Sequence, residues 1–183
     1  MYRQTFLEQC RHHFPGLSRW AEWCYTSPSV LLVGQDTISS ESGVQQGDPL
    51  GPLLFSLALQ PILDLVNIRR SDHGLQLSFS FLDDLNLAGE QQAIAQAFQF
   101  IREHARQIGL EFNSTKCEII PAAGHNAQIN KSLFPADIKY KEDGNFELLG
   151  GPIGLDTFCN RHMEARVKEA TEVLFALGEL PDP

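Results

Sequence analysis

The chain has 183 residues, 43% hydrophobic and 20% charged, the composition of an ordinary globular protein with room for one domain and a sizeable core. Its formal net charge of −9 argues against a broad basic nucleic-acid surface, because phosphate contacts and counterion release supply most of the affinity in such complexes. No run is expected to be long and apolar enough to span a bilayer, and Met1–Gln4 lacks a signal-peptide stretch, so an intracellular protein, cytoplasmic or nuclear, is expected with no membrane partner.

From Arg3, Phe6, Leu7, Cys10 and Phe14 recur at helical spacing until Pro15-Gly16 breaks the run. A second helix follows with Leu17, Trp20, Ala21 and Cys24 as its buried stripe, stopped by Ser27-Pro28. Ser29–Val33 and Thr37–Ser40 read as a short hairpin around Gly34-Gln35-Asp36, and Glu41–Pro52 as a loop rich in Gly, Pro and Gln. The helix expected over Gly51–Arg70 carries Leu53, Leu54, Leu57, Ala58, Ile62, Leu65 and Val66 on one broad face, with Pro61 kinking it. Leu75–Phe81 alternates as a strand, and Leu85–Ala88 resumes the alternation until Gly89. An amphipathic helix spans Gln91–Ile108 through Ile94, Ala97, Phe98, Ile101, Ala105 and Ile108, and Gly109 caps it. Leu110–Phe112 and Cys117–Ile120 read as strands, and Gly124–Phe134 is poorly patterned. Phe146–Gly154 is extended around a Gly-Gly pair, and Asp156 caps a last helix to about Leu177, before a frayed Pro181-Asp182-Pro183 end. With no repeat or linker, a single domain over 1–183 is expected, of α+β class: a small antiparallel sheet with helices on one face. Phe79, Phe81, Leu85, Leu54, Leu57, Phe98 and Ile101 are its expected core.

Cys10, Cys24, Cys117 and Cys159 show no metal-ligand spacing and read as reduced thiols. His12 and His13, neighbours on a helix, should point apart, which argues against a shared metal. Arg69-Arg70 and Arg161, Arg166 and Lys168 are local basic spots that also read as solvated helix faces.

Asp83 and Asp84 are the candidates for chemistry. Successive strand residues face opposite sides, so an adjacent Asp pair can serve one site only where the strand turns, and the pattern places that turn at Leu82–Asp84. Two readings apply: Asp pairs favour tight turns by bonding their own backbone, and oxygen ligands at a hairpin tip suit Mg²⁺ with room left for phosphates.

Context favours the metal. Ser42-Gly43-Val44-Gln45-Gln46-Gly47-Asp48-Pro49-Leu50-Gly51-Pro52-Leu53-Leu54-Phe55 closely resembles the Gly-x-x-Gln-Gly-Asp-Pro-Leu segment of reverse transcriptases of the non-LTR retrotransposon and group II intron type. Gly109–Cys117 is similar to that family's Gly-Leu-x-x-Asn-x-x-Lys segment, and Leu148–Gly154 to its Leu-Gly-x-x-Ile hairpin. Phe81-Leu82-Asp83-Asp84 then resembles its x-x-Asp-Asp motif, in collinear order with the other three. The resemblance implies a partial polymerase palm in which Asp83 and Asp84 bind Mg²⁺ or Mn²⁺ and Gln46 and Gly47 position template and nucleotide. It also implies Lys116 near the triphosphate and Leu149 and Gly150 supporting the primer end, with an RNA template and a DNA primer as partners. Ser78 and Ser80, alternating away from the core, are expected to form a polar floor beneath the primer.

The resemblance also calls for a third carboxylate, on a strand that would lie just before Met1, and for fingers and thumb regions. None is seen in the sequence, and Asp36, in a hairpin turn, Asp48, before a proline, and Asp64, among core positions of a helix, do not replace it. Two expectations follow: a palm fragment truncated on its N-terminal side, related to RNA-directed DNA polymerases but inactive alone and weak in metal binding, or a retroelement-derived binding or interaction module without catalysis. An unpaired hairpin edge is expected to recruit a second copy or a complementing polypeptide.

Overall fold

The computed structural model describes residues 1–69, 74–122 and 128–178. Arg70, the expected end of the third helix and half of one basic spot, lies outside them, as do 124–127 of the poorly patterned stretch and the Pro181-Asp182-Pro183 end. Contacts divide the chain into two units, Met1–Phe112 and Asn113–Pro183.

In the first unit, α1 (Arg3–His13) and α2 (Pro15–Tyr25) meet at Phe14. Pro15 opens α2 at its first turn, where its missing N–H costs nothing, so the Pro-Gly pair starts a helix as well as ending one. The buried face of α2 is Ser18, Ala21 and Tyr25, rotated from the expected stripe, and this leaves Trp20 54% exposed. The hairpin β1 (Ser29–Val33) and β2 (Asp36–Ser40) turns on Gly34-Gln35. Helix α3 (Gly51–Arg69) contains Pro61 and packs against α1 on one side and against α4 (Gln91–Gln107) on the other. Leu54 and Ala58 join Phe6, Leu7, Cys10, Ala21 and Tyr25 in one core cluster. Leu59, Ile62, Leu63 and Val66 join Leu75, Ala93 and Ile101 in a second.

Burial on two sides makes α3 apolar around much of its circumference. Gly51–Ile68 is therefore long and apolar enough, by length and composition, to cross a membrane, contrary to the expectation from the sequence, yet 44% of it is buried against the rest of the protein. Asp64, expected among core positions, is instead exposed and accepts a 2.7 Å hydrogen bond from Gln60 Nε2. Leu65 is also exposed. The end of α4 has Gly109 at φ +74, with Gly109 N donating to Arg106 O (3.0 Å) and Leu110 N to Ala105 O (2.8 Å), a Schellman closure as expected.

The antiparallel hairpin β3 (Leu75–Phe81) and β4 (Asp84–Gly89) carries the Asp pair. Its ladder slips between Leu75 and Leu77, leaving Gln76 as an extra residue. A bulge of one residue exchanges the two faces beyond it. Leu75 therefore shares the helix-packed face with Ser78, Leu85 and Leu87, while Leu77, Phe79 and Phe81 turn the other way. Three expectations are corrected by this slip. Phe81 is 59% exposed instead of core, Phe79 is only half-buried, and Ser78 is buried instead of facing a primer. Leu54 and Ile101 are fully buried as expected, whereas Leu57, Leu85 and Phe98 are partly buried. Leu110–Phe112, expected as a strand, has no ladder partner among the described residues; Leu110 and Phe112 pack on the second cluster, with Phe112 edge-on to Phe98 at 5.9 Å.

The second unit holds a two-residue parallel pair, β5 (Glu118–Ile119) with β6 (Lys139–Tyr140), and a hairpin, β7 (Phe146–Leu148) with β8 (Gly151–Ile153). Helix α5 (Asp156–Gly178) packs on β8 near its start, and none of its described residues is buried. Within it Arg166 pairs with Glu169 at 3.1 Å and Lys168 with Glu172 at 4.0 Å, so that basic spot is a solvated helix face. The four cysteines are free thiols. The architecture is α+β, with small, mainly antiparallel two-stranded sheets among the described residues.

The Ser78 hydroxyl is buried without a hydrogen-bond partner among the described residues. Removing it relieves an unmet desolvation cost, so Ser78→Ala is expected to stabilise the protein by about 1 kcal/mol in urea unfolding. A loss of stability would show that the hydroxyl is satisfied.

Candidate active site

The turn between β3 and β4 is a two-residue loop, Leu82-Asp83, closed by the Phe81–Asp84 pair. Leu82 has φ +56, the positive value that type II′ turns place at their first central position and usually fill with Gly. Holding a leucine there costs on the order of 1 kcal/mol. Ser80 Oγ offsets part of that by donating a 2.7 Å bond to Leu82 O, and Asn86 Nδ2 donates to Asp84 O at 3.1 Å on the far side of the turn. Both aspartates are exposed, and neither carboxylate is engaged by a hydrogen bond or ion pair among the described residues. The side chain of Asp84 shares the hairpin's outer face with Phe81, Phe79 and Asn86.

In kind, two exposed carboxylates at a hairpin tip suit a hard divalent cation that takes oxygen donors. In number they fall short, because among the described residues no group of three or more His, Cys, Asp or Glu side chains could hold a metal ion. The His12 and His13 rings, expected to point apart, instead meet edge to face with centroids 4.6 Å apart, still without a third ligand among those residues.

The loop before α3 divides its glutamine doublet. Gln45 faces inward: its amide N–H donates to Tyr25 Oη at 3.1 Å and its Nε2 to Ser29 Oγ at 2.8 Å. Gln46 is exposed, and Gly47, with φ +87, has open space where a Cβ would stand. These are the two residues named from the sequence for template and nucleotide, and they form the free tip of a loop fixed from behind.

The fixing residues escaped the sequence reading. Tyr25, 1% exposed, donates its hydroxyl to Asp48 Oδ2, while Asp48 Oδ1 accepts from Leu50 N at 2.9 Å and leads the chain into α3. Arg3, 8% exposed, bonds Gly43 O (3.3 Å), Ser27 O (3.1 Å) and Ser40 Oγ (3.0 Å), and its guanidinium lies 5.4 Å from the Tyr25 ring centroid. No carboxylate pairs with it among the described residues. One signal for Arg3 was present, since it occupies a stripe position with Phe6, Leu7 and Cys10, where a charge needs several acceptors. Burial and the bond to Asp48 push the Tyr25 phenol up to about 12.

In the second unit, Lys116 is exposed at the end of a short 3₁₀ turn, Ser114–Lys116, capped by Asn113, whose Oδ1 accepts from Thr115 N at 3.1 Å. Leu149 and Gly150 form the tip of the β7–β8 hairpin with φ +50 and +81, as a type I′ turn requires, and Leu149 is 56% exposed. The sequence-named residues thus occupy exposed tips: Asp83-Asp84 and Gln46-Gly47 in the first unit, Lys116 and Leu149-Gly150 in the second.

A family model described as reverse transcriptase (RNA-dependent DNA polymerase) matches residues 4–153, a span that includes all of these positions. The chain is similar to the retrovirus-related Pol polyprotein from type-1 retrotransposable element R2 of Popillia japonica, with 28% identity over 123 residues that cover 61% of this chain and 20% of that protein. The chain therefore spans about one fifth of that relative's length. No solved structure matches it.

Tyr25→Phe leaves the Asp48 carboxylate and the Gln45 N–H without their partner, so a loss of about 1–3 kcal/mol is expected in urea unfolding. A phenol whose pKa is raised on folding contributes fully below its unfolded value near 10 and loses that contribution as pH climbs to about 12. The unsubstituted protein should therefore lose stability steeply between pH 10 and 12, with a shallower fall in Tyr25→Phe; parallel profiles would remove Tyr25 as the cause.

Proposed function

The chain belongs to the reverse transcriptase (RNA-dependent DNA polymerase) family, and from that premise we propose that it supplies the carboxylate hairpin of a polymerase palm for nucleotidyl transfer to a primer 3′-hydroxyl on an RNA template. The family uses divalent metal ions and acts on an RNA template with a DNA primer. One observation carries the reading: Asp83, on a two-residue turn, and Asp84, which closes it, stand exposed with neither carboxylate engaged among the described residues, inside the family match. A structural Asp pair would be expected to spend its oxygens on the turn's own amides, as Asp48 does at Leu50.

In this reading Asp83 and Asp84 hold Mg²⁺ or Mn²⁺. Bound divalent ions activate the attacking hydroxyl and stabilise the leaving oxygen. Gln46 presents an amide to template or nucleotide, and Gly47 lets the backbone approach closely because no Cβ intervenes. Lys116 neutralises triphosphate charge, and Leu149 and Gly150 support the primer end; both assignments come from the motifs they occupy. Two carboxylates without a third among the described residues should hold the ion weakly, so this polypeptide alone is proposed to be inactive until a further carboxylate is supplied. The second reading is a retroelement-derived module that binds without catalysing, favoured by the net charge of −9.

Primer extension on an RNA template with Mg²⁺ or Mn²⁺, together with calorimetric metal titration, separates the two. The expected result is weak metal binding, abolished by Asp83→Asn and by Asp84→Asn, with no extension by the polypeptide alone. Extension lost in both variants would establish a complete active site and eliminate the non-catalytic reading, whereas no metal binding at all would eliminate the carboxylate hairpin as a metal site.

The same hairpin is a two-stranded sheet with both outer edges open among the described residues, and Leu77 and Phe81 are exposed on one face. We propose that a second copy or a complementing polypeptide covers it. Sedimentation velocity should show concentration-dependent dimer that Leu77→Lys shifts to monomer; a monomer throughout the micromolar range would remove self-association.

A further inference from the structure

We propose that Arg3 and Tyr25 are positioning residues for template engagement: together they clasp the Gly43–Leu50 loop from behind so that Gln46 and Gly47 are displayed in a single arrangement. The inference rests on the template-binding reading above and assigns roles to two residues that touch neither template nor metal in that reading. Tyr25 grips both sides of the tip, accepting from Gln45 N at 3.1 Å before it and donating to Asp48 after it. Arg3 grips the entry to the loop at Gly43 O and ties it to Ser27, two residues past α2, and Ser40 at the end of β2. Between those anchors Gln46 and Gly47 are exposed, and nothing stands within 4 Å of a Cβ built on Gly47.

The energetics favour rigidity at this place. A guanidinium buried against neutral acceptors is costly unless all of them stay in reach, so the loop cannot drift without leaving a charge unsolvated. A loop held in its bound form before the ligand arrives avoids the ordering cost of binding. The acidic chain has little long-range attraction for a phosphate backbone, and preorganised contacts therefore weigh more.

The test uses the 183-residue chain unsubstituted and as Tyr25→Phe, Arg3→Lys, Gln46→Ala and the double variant Tyr25→Phe/Gln46→Ala, with Ile101→Val as a destabilising control in the other core cluster. Amide hydrogen exchange and fluorescence anisotropy with an RNA-template/DNA-primer duplex at low salt are measured on each. Tyr25→Phe and Arg3→Lys should raise exchange at Gln45 and Leu50 about tenfold without changing α4, and weaken duplex binding several-fold, while Ile101→Val does neither. If Tyr25 acts through Gln46, the double variant should bind no worse than Gln46→Ala, a non-additivity that a merely structural tyrosine would not produce. Unchanged exchange in the loop, or additive losses, would overturn the proposal. Faster exchange with no duplex binding even by the unsubstituted chain would overturn the template-binding reading instead, leaving the clasp without that role.

Discussion

Helix α3 has to be buried on two sides, and the rest of the first unit is arranged to meet that demand. Leu54 and Ala58 press into the cluster built by α1 and α2, and Leu59, Ile62, Leu63 and Val66 into the one built by β3 and α4. Each large apolar side chain fully removed from water contributes about 1.5–3 kcal/mol, so the helix cannot shift along its axis without losing contacts in both clusters together. Both candidate site elements hang from it. The Gln46-Gly47 loop runs directly into its first turn through Asp48, and the β3–β4 hairpin lies on the cluster formed by its second half.

The two tips are held by different physics. The Asp83-Asp84 turn is local: a two-residue loop, a leucine at positive φ and a serine hydroxyl that satisfies the carbonyl beside it. The Gln46-Gly47 tip is held by long-range polar contacts, since Arg3 and Tyr25 lie 40 and 20 residues from the backbone groups they bind. Arg3, a buried cation in an acidic chain, is thus used to hold backbone and not displayed to solvent. A charge in that position raises the importance of every acceptor around it, because desolvation is already incurred.

Much of this was legible in the residues. The five helices, the Asp hairpin, the Schellman glycine at Gly109 and the collinear motifs were all visible, because helix stripes, turn glycines and motif strings are encoded within a few residues of one another. The face of the hairpin was not. An unbroken alternation over Leu75–Phe81 put Phe79 and Phe81 inside, but Gln76 is an extra residue in the ladder and exchanges the faces, so Ser78 is buried in their place. The bulge leaves no trace in hydropathy, since apolar residues hold every odd position from Leu75 to Phe81, on both sides of Gln76. On α2, likewise, Leu17, Trp20, Ala21 and Cys24 define a plausible stripe, and only the packing in the first core cluster keeps Ala21, leaves Leu17 and Cys24 partly buried, and adds Ser18 and Tyr25 in place of Trp20.

By itself the sequence determined the class of the fold, the order of its five helices and three hairpins, the family and the candidate residues, all of which depend on local periodicity or on motif strings read in order. Tertiary structure alone decided which face of the hairpin carries Asp84 and which residues hold the Gln46-Gly47 loop. The pairing of those buried polar groups depends on partners 20 and 40 positions away, and the ladder slip at Gln76 on how β3 meets β4 across the hairpin. A buried arginine or tyrosine takes whatever acceptors the fold brings within 3 Å or so, and no spacing along the chain records which those will be.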